Sequence, residues 1–293
     1  MKQAIAKDKK FHRCIIINST AYFIIAYILV VFTYNLFSIW MSYNFFGFDG
    51  ELYFHGFTMK GASWNRDNIV IIFFFGNMIT LLVGVIFDWL YRRQRKYKRS
   101  IKVLFLWIYV IAYSWFMGNF IVGALFNFGI GTALRAFRVP FFLRVILAGI
   151  SIVLLVFIGH RAQKGIKVSA NLYYKRLAKS AIPKFLLNQI VYPALLGTAI
   201  LVLYKIPNIG EYHYFDWMVL GAVLFYMLGL FIWQKNKNSI TFKNRDAKAN
   251  SDENDYHVKN KSCKVQIIVV VIALAILLSM RIGLNEPLLF LHQ

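Results

Sequence analysis

Residues 69–90 read IVIIFFFGNMITLLVGVIFDWL, and residues 91–102, which follow directly, read YRRQRKYKRSIK. The first stretch is long enough to cross the hydrocarbon core of a bilayer, which takes about 20 mainly apolar residues. The second stretch is rich in Lys and Arg, which accumulate on the cytoplasmic side of membrane proteins. Together they predict a membrane-spanning helix that ends at the cytoplasm.

The same apolar pattern recurs along the chain. Seven stretches qualify as spans, at roughly 14–37, 69–90, 103–126, 141–158, 185–204, 216–233 and 265–283. The 293 residues are 59% hydrophobic and 16% charged, which is more apolar and less charged than a soluble domain. We therefore predict an all-α, polytopic transmembrane helix bundle of about seven spans, forming one integral membrane domain over residues 1–293.

The distribution of positive charge predicts the orientation of this bundle. Of the 34 Lys and Arg residues, 27 lie in four segments, namely 1–13, 92–102, 161–184 and 235–264. An alternating arrangement of spans places all four in the cytoplasm, with the N-terminus cytoplasmic and the C-terminus outside. The net charge of +22 then orients a membrane protein and does not indicate a nucleic-acid partner. We expect the bilayer as the partner, including anionic inner-leaflet lipids, and a bacterial inner membrane as the location.

Segments outside the spans carry further expectations. Ser38–Asn68 is rich in Gly and aromatic residues, so we expect it to cover the outer mouth or lie at the interface. Ser169–Pro183 has helical spacing of apolar and basic residues, which indicates an interfacial or a connecting helix. Residues 236–260 are polar and are predicted to form a flexible cytoplasmic linker. Cys14 and Cys263 flank spans on the predicted cytoplasmic side without a C-x-x-C pair, so we expect neither metal nor redox work from them.

Two asparagines lie inside predicted spans, where polar side chains are expensive and often functional. Asn77 and Asn119 are at similar distances from the outer ends of antiparallel helices, so we expect their amides at similar depth. Gly76 and Gly118 precede them and would permit close helix approach. The pair either joins two helices or contacts a ligand.

A glycine- and arginine-rich stretch, NFGIGTALRAFRVP at residues 127–140, breaks the charge rule on the outer side. It includes Asn127, Arg135 and Arg138, and Arg144 follows it. We expect a short helix capped by Thr132, with Arg135 and Arg138 on one face. Since Arg binds phosphate and carboxylate through two parallel hydrogen bonds, these residues are candidates for an anion or ligand site. Nonspecific snorkelling to headgroups is the alternative.

The outer loops also hold acidic and histidine residues that could ligate a divalent metal. They are Glu51 and His55 in the first outer loop, and Glu211, His213 and Asp216 in the last one. Sequence alone does not show whether the two loops converge, and solvated loop polarity is the simpler interpretation.

No catalytic motif is present: the chain lacks H-E-x-x-H, G-x-S-x-G and a Walker A sequence. No cofactor is indicated, and the lack of a catalytic motif favours a function without catalysis over an enzyme. The first hypothesis is a permease or lipid-handling protein that binds an anionic solute or lipid headgroup. One alternative is a membrane-embedded enzyme that acts on a lipid or peptide with the outer His and carboxylate residues. The other is a non-catalytic scaffold subunit with membrane-protein partners.

Overall fold

The computed structural model describes residues 2–54, 56–60, 64–97, 99–126, 128–174, 176–177, 179–206, 211–232, 240–241 and 263–290. Within these ranges, side chains are described for all residues except 2–9, 176, 211–215 and 240–241.

The protein is built from α-helices, with a few short strands. The helices are α1 (Lys2–Phe46), α2 (Arg66–Gln94), α3 (Ile101–Phe126), α4 (Ile130–Ala136), α5 (Phe141–Ser169), α6 (Ala181–Leu186), α7 (Tyr192–Lys205), α8 (Glu211–Gly221), α9 (Val223–Phe231) and α10 (Ile267–Gly283). The strands are β1 (Asp49–Tyr53), β2 (Gly56–Lys60), β3 (Arg176–Leu177), β4 (Ile240–Thr241) and β5 (Leu288–Phe290). A 3₁₀ turn at Ala170–Leu172 follows α5, and a π-helical segment at Leu187–Val191 joins α6 to α7.

Five helical segments are long and apolar enough to cross a membrane, and they contain the first five predicted spans. They are Lys10–Phe46, Arg66–Gln94, Ile101–Phe126, Phe141–Leu172 and Ala181–Lys205. The apolar helices Asp216–Phe231 and Ile267–Gly283 are shorter. The fold is therefore a helical membrane bundle, while the count of seven spans and the orientation of the termini stay predictions.

The long helices extend beyond the predicted spans because hydropathy reports only the part that crosses the hydrocarbon. Lys10–Phe46 has 37 residues, which is about 55 Å of helix at 1.5 Å per residue, against a hydrocarbon core of about 30 Å. Helical backbone satisfies its own hydrogen bonds, so it continues through the interface without penalty.

The core of the bundle lies between α1 and α3. In both helices 78% of the most apolar window is buried, against 17% in α5. Phe23 meets Trp107 edge-on with ring centroids 4.9 Å apart. By contrast, α10 buries only Ala273 and Leu277, as expected for a helix that packs at the periphery against lipid.

The predicted outer loop folds into a β-hairpin that the C-terminal segment completes. β1 pairs antiparallel with β2, and β5 pairs antiparallel with the other edge of β1. β1 lies so close to α1 that a Cβ on Gly50 would come within 2.5 Å of the Ile39 side chain. We call the end of the bundle that bears this sheet the hairpin end.

The opposite end is fixed by a disulfide between Cys14 and Cys263, whose Cα atoms lie 6.0 Å apart. Beside it, Asn18 accepts a hydrogen bond from the Gln266 backbone N–H and donates one to the Lys264 carbonyl. At the hairpin end, the Phe54 N–H donates to the Leu284 carbonyl. α10 therefore runs in the same direction as α1.

This disulfide was not predicted from the sequence. Disulfides persist in oxidising compartments, whereas the Lys and Arg excess around Cys14 and Cys263 predicts the cytoplasm. The two indicators point in opposite directions, so each end of the bundle needs its own labelling experiment to assign its compartment.

The prediction of one helix over Ser169–Pro183 is wrong. α5 continues to Ser169, and after the 3₁₀ turn the chain forms β3, which pairs with β4. Pro183 lies inside α6 near its start, where a missing N–H costs no intrahelical bond. β4 falls in the predicted linker 236–260, whose other residues lie outside those the structure describes.

Candidate ligand sites

Both asparagines of the predicted spans donate a side-chain hydrogen bond to a carbonyl group of α3. The Asn77 Nδ2 donates to the Phe116 carbonyl at 3.2 Å, and the Asn119 Nδ2 donates to the Trp115 carbonyl at 2.9 Å. The two amides thus lie at one level of the helix, and both side chains are 0% exposed. Among the described residues, neither Oδ1 atom has a hydrogen-bond partner. Their role as ligand contacts stays a prediction.

The adjacent glycines permit close packing, but with other helices than expected. A Cβ on Gly76 would lie 2.3 Å from the Ser38 Oγ of α1. A Cβ on Gly118 would lie 2.8 Å from the Val219 carbonyl of α8. The Asn77 amide therefore links α2 to α3. Gly76 allows α1 to pack closely against α2, and Gly118 allows α8 to pack closely against α3.

The arginine segment begins with a helix that folds back against α2 and α3. α4 starts at Ile130 with Gly129 as its N-cap, three residues before the predicted cap Thr132. Gly129 has φ 52°, a conformation that glycine adopts without strain. Gly131 lies directly on the backbone of Gly123, where any side chain would clash.

Two phenylalanines at the hairpin end each lie beside an arginine, one from the start of α2 and one from α5. The guanidinium of Arg66 lies 5.1 Å from the ring centre of Phe137, and that of Arg144 lies 5.5 Å from the ring centre of Phe141. We define the arginine rim by its cations and its aromatic residues, which are Arg66, Arg135, Arg138, Arg144, Phe137 and Phe141.

Three of the four cations of the rim carry charge that no carboxylate of the described chain neutralises. Arg135 and Arg138 are exposed, and no carboxylate of the described chain pairs with Arg66, Arg135 or Arg138. Arg138 does not share a helical face with Arg135, because α4 ends at Ala136 and Arg138 has φ 57°. Asn127 lies outside the described residues.

The predicted metal ligands have other partners where the structure describes their side chains. Glu51 pairs with Lys60 at 2.6 Å and accepts hydrogen bonds from the Tyr53 and Thr58 hydroxyls at 3.0 and 3.1 Å. The Lys60 ammonium, together with the two hydroxyls, holds the pKa of the Glu51 carboxyl below its usual value. Asp216 pairs with Lys205.

His55 lies outside the described residues, and so do the side chains of Glu211 and His213. Within the part of the chain that the structure describes, no three His, Cys, Asp or Glu residues gather around a common point. The metal site, with Glu51, His55, Glu211, His213 and Asp216 as candidate ligands, stays a prediction.

A small pocket lies between α1, α7, α10 and the hairpin. Its lining comprises Tyr27, Ile28, Val31, Phe32, Asn35, Tyr53, Phe54, Tyr204, Lys205 and Met280. None of the predicted site residues lines it.

The pocket wall contains a buried ion pair. Lys205 Nζ lies 2.6 Å from Asp216 Oδ2, and the two side chains are 3% and 15% exposed. The Tyr27 hydroxyl lies beside this pair and forms no well-oriented hydrogen bond within the described chain. The lysine charge is therefore neutralised where it borders the pocket.

The sequence pattern indicated Asp216 as a metal ligand and did not single out Lys205. A signal for the pair is nevertheless present. The two residues lie at the facing ends of consecutive apolar stretches, and antiparallel neighbours bring such ends to one level. No known protein family, curated sequence or solved structure matches this chain, so function is inferred from these sites alone.

Proposed function

We propose that this chain is a permease or lipid-handling protein whose arginine rim binds an anionic lipid headgroup or anionic solute. The observation that carries the proposal is the rim's uncompensated charge, since Arg66, Arg135 and Arg138 have no carboxylate partner in the described chain. A cation that is not paired with a carboxylate is free to bind a phosphate.

The aromatic residues of the rim add to this preference. A guanidinium that lies over an aromatic ring can still donate its N–H groups to an anion. The rim is at one end of the long helices, which is the depth of lipid headgroups in a membrane-spanning bundle. An anionic lipid would thus meet the rim without entering the core.

The test compares two double variants that lose the same charge. Purified protein in a neutral detergent is titrated with phosphatidylglycerol or phosphatidylcholine, and bound lipid is counted by native mass spectrometry. Arg135→Gln/Arg138→Gln should weaken phosphatidylglycerol binding about tenfold, or about 1.4 kcal/mol for the two contacts. Arg161→Gln/Lys164→Gln, which removes two exposed cations of α5, should leave it unchanged.

Inorganic phosphate distinguishes the two versions of the proposal. Competition by millimolar phosphate would indicate a soluble anion and a permease, whereas insensitivity to phosphate would indicate a lipid headgroup. Equal losses in both double variants would mean that only net charge matters, and the rim would no longer be a site.

The alternatives have no comparable support among the described residues. For the enzyme hypothesis, Glu51 and Asp216 are engaged by lysines. The scaffold hypothesis depends on cytoplasmic basic loops, and no described contact bears on a partner.

A further inference from the structure

We propose that the end of the bundle that bears the disulfide contains a second anion site, in which the ammonium group of Lys167 binds a phosphate group. This disulfide end is opposite the hairpin end, so the site is separate from the arginine rim and does not depend on it.

The observation that carries the proposal is a buried lysine without a counter-ion. Lys167 lies in the last turn of α5 and is 1% exposed. Within the described part of the chain, its ammonium group forms neither a hydrogen bond nor an ion pair. Buried charges in proteins are normally paired, because an ammonium group that leaves water without a partner loses its hydration uncompensated. The ammonium group of Lys167 therefore requires an anion that the described chain does not supply.

The polar residues on either side of Lys167 do have partners. Gln163 and Asn171 are each four residues away, one helical turn, and so lie on the same face as Lys167. Both are 6% exposed. The Gln163 Nε2 donates to the Leu230 carbonyl of α9 at 2.7 Å, and the Asn171 Nδ2 donates to the Lys96 carbonyl at 2.9 Å. Lys167 is thus the middle member of a buried polar row, and the described chain provides no acceptor for it.

A second buried lysine adds positive charge to this place. Lys102, at the start of α3, is 0% exposed. Its Nζ donates to the carbonyls of Arg95 and Tyr97 at 3.3 and 2.8 Å and also to the Asn171 Oδ1. These three acceptors are neutral, so they satisfy the donors of Lys102 but leave its charge. Because Asn171 binds Lys102 and lies one turn from Lys167, the two charges act on the same region.

The neighbouring charged residues do not reduce this excess. Lys164, three residues before Lys167, and Lys96, whose carbonyl binds Asn171, are exposed cations. Asp88, in the last turns of α2, already pairs with Arg92 at 2.6 Å. A phosphate group suits such a cluster, because it is negatively charged and its oxygens accept short, strong hydrogen bonds from ammonium groups.

The position of Lys167 along its span gives this phosphate a source. The span Phe141–Leu172 has 32 residues, or about 48 Å of helix, whereas the hydrocarbon core is about 30 Å thick. The last turns therefore reach the level of the lipid headgroups. The phosphate of an anionic lipid can meet Lys167 there, and a free phosphate ion can arrive from the aqueous side.

The experiment measures thermal unfolding of the full chain in a neutral detergent, followed by tryptophan fluorescence. The parent protein carries Arg135→Gln/Arg138→Gln, so that the arginine rim contributes as little as possible. It is compared with Lys167→Met, which removes the buried charge at similar volume, and with Lys164→Met, which removes an exposed charge of the same helix. Each protein is measured alone, with phosphatidic acid, with phosphatidylcholine and with inorganic phosphate, at an ionic strength kept constant with sodium chloride.

Without added phosphate, Lys167→Met should unfold about 3 °C above the parent, because it no longer buries an unpaired charge. Lys164→Met should unfold within about 1 °C of the parent. Phosphatidic acid at a hundredfold excess over its dissociation constant should raise the midpoint of the parent and of Lys164→Met by about 5 °C. The shift in Lys167→Met should be at least threefold smaller. An equal effect of inorganic phosphate would support a site that is open to free phosphate, and an effect of phosphatidic acid alone would support a lipid site.

Four outcomes would overturn the proposal. The first is a parent protein that responds to neither phosphate compound, and the second is an equal response of the two lysine variants. The third is a response to phosphatidylcholine as large as that to phosphatidic acid. The fourth is a lower unfolding temperature of Lys167→Met without added phosphate, which would mean that the chain itself neutralises Lys167. Because every protein in the comparison carries the rim substitutions, failure of this site and failure of the rim are distinguishable.

Discussion

The arginine rim and the pocket lined by Lys205 lie at or near the same end of the bundle. Both contain cations, yet they differ in whether these cations are paired with carboxylates. Arg135 and Arg138 are exposed and have no carboxylate partner, whereas Lys205 is buried and paired with Asp216. The rim therefore carries positive charge, and the pocket is neutral. Counting cations does not predict the ligand of a site. What decides it is whether each cation is already compensated.

The largest expected effect on stability comes from removing one charge of the buried ion pair. Asp216→Asn should lower the free energy of unfolding by roughly 3 kcal/mol, because removing one partner leaves a buried charge. Thermal unfolding in detergent, followed by tryptophan fluorescence, measures the change. Lys205→Met/Asp216→Asn should recover most of the loss, since neither charge then remains.

The chain provides a matched control for this variant. Arg92 and Asp88 are also 2.6 Å apart, but their side chains are 47% and 20% exposed. Asp88→Asn should cost at most about 0.5 kcal/mol, as is typical of exposed pairs one helical turn apart. If Asp216→Asn and Asp88→Asn lost the same stability, burial would not make the Lys205–Asp216 pair more important for stability than the exposed pair.

A smaller effect on stability distinguishes the role of charge from the role of backbone conformation in the rim. Arg138 has φ 57°, which is unfavourable for a residue with a Cβ, whereas Arg135 lies inside α4. Arg138→Gly should therefore raise stability by up to about 1 kcal/mol, and Arg135→Gly should lower it by about 1 kcal/mol. Both should weaken phosphatidylglycerol binding about threefold.

Thermal unfolding and lipid titration on the same two proteins provide the check. Binding losses that followed the stability changes would mean that the arginines act through the fold of the segment. Equal binding losses with opposite stability changes would show that they act through charge.

The sequence predicted the helices well because hydropathy and length act locally. Each of the first five predicted spans lies within a long helix, and the excess of Lys and Arg between them follows from the same physics. The three-stranded sheet was missed because its third strand, β5, is more than 200 residues away from β1 in the chain. Periodicity within one segment contains no information about such a distant partner.

The candidate sites show the same division. Arg135, Arg138 and Arg144 were predicted as a candidate site, because an arginine on the predicted outer side violates a rule that can be checked residue by residue. The pocket was not, because its lining comes from α1, the hairpin, α7 and α10. Cys14 and Cys263 likewise meet only in three dimensions.

The smallest expected effect concerns Lys60, a cation between the two extremes, since it is exposed yet paired with Glu51. The pKa of Glu51 is lowered, chiefly by the hydrogen bond from Lys60. Because this pKa is lowered, the carboxylate stabilises the folded hairpin when the pH is above the ordinary pKa of 4.5. This stabilisation is lost as the pH falls through the pKa of the folded state.

Hydrogen-exchange protection of the β1 and β2 amides, corrected for the intrinsic rate, should therefore decrease below about pH 4.5. Glu51→Gln should have low protection throughout and no change in this window. A wild-type profile in Glu51→Gln would mean that another group controls the hairpin.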